Sequence, residues 1–163
     1  MAEFTVNTHR LDPYKNFRFK VKWSGKYVAG LTWISPLRRS TQVITFREGG
    51  SPSVLRAPGI ITYDPIVMRA GVTHDTAFED WANLGGAYMA DLSLKNFRRD
   101  ITIELLNEAG VTVIAYRVFR CWVSEYVALP ILDAGAAAVA IQEIRIENEG
   151  WERDTSVAEP AET

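Results

Sequence analysis

The sequence predicts a mainly β fold, a β-barrel or sandwich with one short flanking α-helix. Apolar and polar residues alternate with period two in several segments, and glycine, proline and asparagine breaks separate these segments at short intervals. A single segment, around Phe78, Trp81 and Ala82, spaces its apolar residues as a helix does. About seven or eight strands and one helix result, a count that suits a barrel or sandwich with the helix over one opening or flank.

Residues 1–15 are polar and irregular and read as an N-terminal arm. Phe17, Phe19, Val21 and Trp23 then alternate with Arg18, Lys20 and Lys22, which gives a half-buried strand with one apolar and one cationic face. Ser24-Gly25 supplies a tight hairpin turn into a second strand over 26–35. That strand carries Tyr27, Leu31 and Trp33 on one face but Val28 and Ile34 on the other, so both sides require cover. A third strand is expected over 41–47. Gly49-Gly50-Ser51-Pro52 stops it and opens a long loop through Pro58-Gly59, after which 60–68 is extended. Connections of that length are either functional or mobile surface excursions, and Arg47, Glu48, Arg56 and Tyr63 bracket this one with groups suited to contacts.

Thr76-Ala77-Phe78-Glu79 has the form of a capping box, and Gly85-Gly86 ends the helical pattern. The stretch 88–95 is ambiguous. Ile101, Ile103 and Leu105 alternate with Asp100, Thr102 and Glu104, and Asn107-Glu108-Ala109-Gly110 turns the chain into a strand over 111–118 that continues, after a bend, through 119–127. Residues 129–138 connect to a last strand over 139–148, leaving 151–163 as a frayed acidic tail. The domain plan is therefore an arm (1–15), one β-barrel domain (16–150) and a flexible tail (151–163).

A chain of 163 residues can bury a real core without staples, and its single cysteine, Cys121, excludes an internal disulfide framework. No signal-peptide pattern and no run of 18 apolar residues is present, so the expected place of synthesis is the cytoplasm. The net charge of −2 lacks the basic excess that phosphate neutralisation along a nucleic acid demands. Its distribution is uneven. Residues 1–60 hold 10 Lys/Arg against 3 Asp/Glu, and residues 61–163 hold 8 against 17, an asymmetry either cancelled within one fold or matched between copies meeting through unlike surfaces.

The residues offer no catalytic set. His9 lies in the arm, His74 precedes the helix, and Ser124 lacks the elbow motif that would make it a nucleophile. Cys121 alternates with Phe119 and Val123 and reads as a small buried hydrophobe. No metal-ligand spacing, phosphate-cradling glycine motif or paired carboxylate geometry occurs, so no cofactor and no metal are expected. Of the five tryptophans, Trp151 near the tail is the one whose setting needs explaining.

Several motifs in one order carry a resemblance. Asp12-Pro13-Tyr14-Lys15-Asn16-Phe17, Arg47-Glu48-Gly49-Gly50, Arg56-Ala57-Pro58-Gly59, Tyr63, Gly71-Val72-Thr73, Trp81 and the run Ile103-Glu104-Leu105-Leu106-Asn107-Glu108-Ala109-Gly110 together resemble the contractile-tail tube protein family. This family includes the tail tube proteins of T4-like phages and the inner-tube subunits of extracellular contractile injection systems. Ala57, where a basic residue is common, and the run Met68-Arg69-Ala70-Gly71 depart from its usual pattern.

The resemblance implies a structural protein, not an enzyme: hexameric rings stacked into a hollow tube inside a contractile sheath. Its implied partners are further copies of the chain, the sheath protein, baseplate and tube-terminating proteins, and a DNA or protein cargo in the bore. By the same resemblance Arg47, Glu48, Gly49, Gly50, Arg56, Pro58, Gly59 and Tyr63 lie at contacts between subunits or rings. A baseplate-proximal initiator ring is the alternative within the family. A monomeric ligand-binding β-barrel and a small hydrolase using Ser124 or His74 are the alternatives outside it.

Overall fold

The computed structural model describes residues 4–86 and 97–162, and the ambiguous stretch 88–95 falls outside them. Its elements are β1 (Phe19–Trp23), β2 (Lys26–Tyr27), β3 (Leu31–Ile34), β4 (Arg39–Phe46), β5 (Leu55–Tyr63), β6 (Ile66–Gly71), α1 (Ala77–Gly86), β7 (Arg99–Leu106), β8 (Thr112–Val127), β9 (Ile141–Glu147) and β10 (Trp151–Arg153). All strand pairings are antiparallel. The mainly β class with one short helix is the one the alternation predicts.

The main sheet runs β2-β1-β7-β8-β9-β6-β3, with β10 also on β8, while β4 and β5 pair only with each other. Of the barrel and sandwich forms the pattern allows, the described residues build antiparallel sheets that do not close into a barrel. β2 and β3 lie at the two ends of the sheet and do not pair with each other among the described residues, and each is short, so the hydrogen-bonded ladder stays open. These two strands arise where the sequence pattern reads as one. Gly30 takes φ +75, a conformation costly for other residues, and breaks 26–35 into a hairpin partner for β1 and a partner for β6.

β8 holds the two parts of the sheet together. Its first part pairs with β7 and β10, and its last with β9. Between them Arg120 adopts φ +52 and its N–H donates to the Asp100 carboxylate at 2.9 Å, the bend expected near residue 119. Val21, Trp23, Ile101, Val118 and Cys121 thereby meet Ile66, Met68, Ala70, Ile144 and Ile146 in one core. Side chains fill the space that a ligand-binding barrel would leave as a pocket.

α1 completes the core through Phe78 and Trp81. Trp81 packs against Trp23 with the ring centroids 4.8 Å apart and the planes tilted by 54°, and it donates from its indole to the Phe97 carbonyl at 3.0 Å. Truncating so buried an aromatic to alanine costs about 3–5 kcal/mol. The helix start differs from the capping box. The Asp75 carboxylate accepts from the Ala77 N–H at 3.0 Å, and the Thr76 hydroxyl donates to Asp80 at 3.0 Å, so Asp75 rather than Thr76 satisfies the open donor. Glu79 and Asp80 add acidic charge in the first turn, where the helix dipole favours it.

The segment 151–163, expected to fray, begins with a strand. β10 pairs Trp151 with Val118 and Arg153 with Tyr116. Beyond it, the Glu159 carboxylate accepts from the Thr5, Val6 and Asn7 N–H groups at 2.8–3.0 Å and from the Thr5 hydroxyl and the Asn7 amide. The Val6 N–H, followed by the Asn7 and Thr5 donors, holds this carboxyl down at about 2. Arg10, under the rings of Phe4 and Tyr14, bridges Glu108 and Glu162 at 3.1 and 2.9 Å. The arm and the tail thus close on each other, which the acidic composition of the tail did not reveal.

Candidate assembly interface

The interface residues implied by the sequence lie on the β4–β5 hairpin, and most of the expected loop is strand. Arg56, Pro58 and Gly59 belong to β5, and only 47–54 connects the strands. Pro58, opposite Val43, lacks an N–H to donate, which an edge strand tolerates. A register shift follows at once between Thr41 and Val43, with Gly59 and Ile60 as the bulged residues of β5. A Cβ on Gly59 would stand 3.1 Å from the Gln42 carbonyl and 3.1 Å from Ile44 Cγ1, so any larger residue here crowds the facing strand.

Every residue of β4 is exposed, and β5 is exposed or half-buried throughout. Cross-strand partners share a face, so Ile44 with Ala57 and Phe46 with Leu55 form one side, while Val43 with Pro58 and Thr45 with Arg56 form the other. Both faces therefore carry apolar groups in water, and Ile60 at the bulge is 70% exposed. The hydrophobic members Val43, Ile44, Phe46, Leu55, Ile60 and Ile61 escape a reading that looks for charged contact groups. The adjacent pairs Val43-Ile44 and Ile60-Ile61 were the available signal, because neighbours in a strand point to opposite faces.

At the tip, the Arg47 guanidinium donates to the Ser51 carbonyl at 2.9 Å, the Ser51 N–H donates to the Glu48 carbonyl at 3.1 Å, and Gly50 takes φ +87. Arg47 therefore stiffens its own turn, and Glu48, Gly49 and Gly50 form that turn. Among the described residues neither Arg47, Glu48 nor Arg56 forms an ion pair. Tyr63 is placed apart from the others. It stands at the hairpin root, half-buried, edge-on to Trp151 at 6.0 Å.

Several of the first sixty residues find acids within the chain: Arg10 with Glu108 and Glu162, Lys15 with Glu108, and Arg38 with Asp64. Lys20 and Lys22 instead point over the Tyr27 ring at 5.3 and 5.7 Å. The charge asymmetry is thus partly cancelled inside the fold.

The sites considered for chemistry do not assemble. Ser124 donates to the Arg145 carbonyl, the Asp75 carboxylate caps α1, and no hydrogen bond joins either to His74 among the described residues. Cys121 is fully buried, and burial pushes its thiol up to about 12. No group of three or more metal-ligating side chains occurs among the described residues, and no helix is long and apolar enough to cross a membrane.

The profile of the family described as T4-like virus tail tube protein gp19 matches residues 15–152. The chain belongs to this tail tube family. Its role is accordingly that of a structural component of a contractile tail or injection particle. Among solved structures, a chain of an extracellular contractile injection system, the PVC sheath–tube complex in its extended state, is 26% identical over 87% of this chain and 91% of that one, with a TM-score of 0.74. A chain of the PVC sheath/tube terminator in the extended state is 25% identical over 89% of this tail tube protein and 99% of its own length, with a TM-score of 0.76. Hcp1 from Flavobacterium johnsoniae, at 12% identity, 88% and 98% coverage and a TM-score of 0.52, shares the fold. A comparison with curated proteins returns no match.

Proposed function

We propose that this tail tube protein is the repeating subunit of the inner tube, forming hexameric rings that stack into a conduit for DNA or protein cargo within a contractile sheath. The observation that carries this reading is the β4–β5 hairpin, two strands long, apolar on both faces and without a seat on its own body beyond the root. Exposed apolar surface of this kind is stable in a soluble particle when a second protein covers it. Arg47, Glu48, Gly49, Gly50, Arg56, Pro58 and Gly59 belong to the contact between copies as parts of the hairpin, and Tyr63 as its root. The open edges of the main sheet at β2 and β3 leave backbone donors and acceptors for neighbouring copies to meet. The sheath and the tube-terminating proteins are the outer and end partners, in keeping with the sheath–tube and terminator assemblies of the relatives.

Light scattering after size exclusion, with negative-stain microscopy of the same fractions, tests the proposal. Rings or stacked tubes with sixfold symmetry are expected. A protein that stays monomeric at high concentration, alone and with its sheath protein, overturns it.

A further inference from the structure

We propose that Trp151 is a positioning residue for assembly: it seats the root of the β4–β5 hairpin and so fixes the direction in which the hairpin leaves the body. This inference rests on the hairpin being a contact between copies. Both strands stand clear of the body along their length, so the hairpin's angle is decided where it begins and ends. There, the Asp64 N–H donates to the Arg38 carbonyl at 3.0 Å and the Asn148 amide donates to the Asp64 carbonyl at 3.0 Å. The first bond joins the two ends of the hairpin to each other, and the second ties them to the segment after β9.

Aromatic contacts add a second attachment of the root to the body. The Trp151 ring meets Tyr63 of β5 edge-on at 6.0 Å and 78°, and the Arg39 guanidinium of β4 lies 5.8 Å above it, so one side chain touches the root of each hairpin strand. On its other side Trp151 meets Tyr116 of β8 at 5.7 Å and 80° and pairs with Val118, which joins the seat to the core. Gly150, at φ +140, leaves room for the Tyr63 ring, which is 3.3 Å from where a Cβ would stand. Among the described residues the buried indole N–H has no acceptor. Trp151 therefore acts here through the shape and face of its ring and not through a hydrogen bond.

The test uses spin labels on Ser53→Cys at the hairpin tip and Lys20→Cys on β1, with distances measured on subunits below their assembly concentration and tube formation followed by microscopy. Trp151→Ala is expected to broaden the distance distribution, with the unseated fraction rising about tenfold, and to reduce tube yield, while the circular dichroism of the body is kept. Trp151→Phe is expected to restore both the narrow distribution and the yield. Tyr63→Leu, which removes the partner on the hairpin side and leaves β10 intact, is expected to broaden the distribution in the same way and serves if Trp151→Ala does not fold. A narrow, unchanged distribution in either folded variant overturns the inference. Normal assembly by a subunit whose hairpin is visibly unseated removes the hairpin from the interface but leaves the seat established, so the two failures are distinct.

Discussion

Replacing Ile60 by serine separates the contacts of the hairpin from its folding. The side chain is 70% exposed, so little of its burial belongs to the lone subunit, and surface substitutions of this kind change stability by within about ±0.5 kcal/mol. Covering an exposed isoleucine completely contributes about 1.5–3 kcal/mol, and the uncovered share of Ile60 corresponds to roughly 1–2 kcal/mol for each contact it makes. At about 1.4 kcal/mol per factor of ten, Ile60→Ser is expected to raise the concentration needed for tube formation by about 5- to 30-fold. Sedimentation of tubes across a concentration series measures this, and a thermal melt of unassembled subunits checks that the fold is intact. An assembly concentration indistinguishable from that of the parent chain, with an equal melting temperature, refutes the reasoning.

Gly59→Val forces a side chain against the Gln42 carbonyl and Ile44, an overpacking expected to cost about 1–3 kcal/mol and to fall on the hairpin alone. Hydrogen exchange should quicken across β4 and β5 and stay unchanged in the main sheet. Asp75→Ala removes the cap of α1 and is expected to lower stability by about 1 kcal/mol in denaturant unfolding, whereas Thr76→Val should cost less because its hydroxyl meets a side chain and no open backbone donor. The Glu159 carboxyl, depressed from 4.5 to about 2 chiefly by the Val6 N–H and the neighbouring donors, stabilises the arm–tail closure fully above its ordinary value. That stabilisation should be lost as pH falls from about 4.5 through about 2. A carboxyl NMR titration with its midpoint near 4.5 would falsify this. Cys121, buried and pushed up to about 12, should resist thiol reagents at pH 8 until the protein is unfolded.

How much of this was legible in the sequence differs by element. Alternation located β1, β7, β8 and β9 because each has one face in the core and one in water, so burial imposes period two on the residues. The Ser24-Gly25 turn was legible for a similar reason, since both residues adopt positive φ, at 52° and 75°, and few residue types tolerate that. The first part of β5, before Ile60, was missed because Pro58 and Gly59 ordinarily end strands, and only the pairing with β4 shows that an edge position accepts them. The ordered tail was missed because its anchors are long-range hydrogen bonds, Glu159 to Thr5, Val6 and Asn7, which leave no local pattern. Within the hairpin proposed as the assembly surface, the motif residues mark the segment in the sequence, while the apolar side chains that give it its physical character are inconspicuous beside the charged ones.

The sixteen residues of β8 carry a mechanical consequence. Because one uninterrupted stretch of backbone serves β7 and β10 along its first part and β9 along its last, neither portion of the molecule can peel away without tearing the other's ladder. Push or pull applied at one rim is shared among many parallel hydrogen bonds before any of them yields. The main sheet is then expected to melt as one unit and to resist hinging between its two portions.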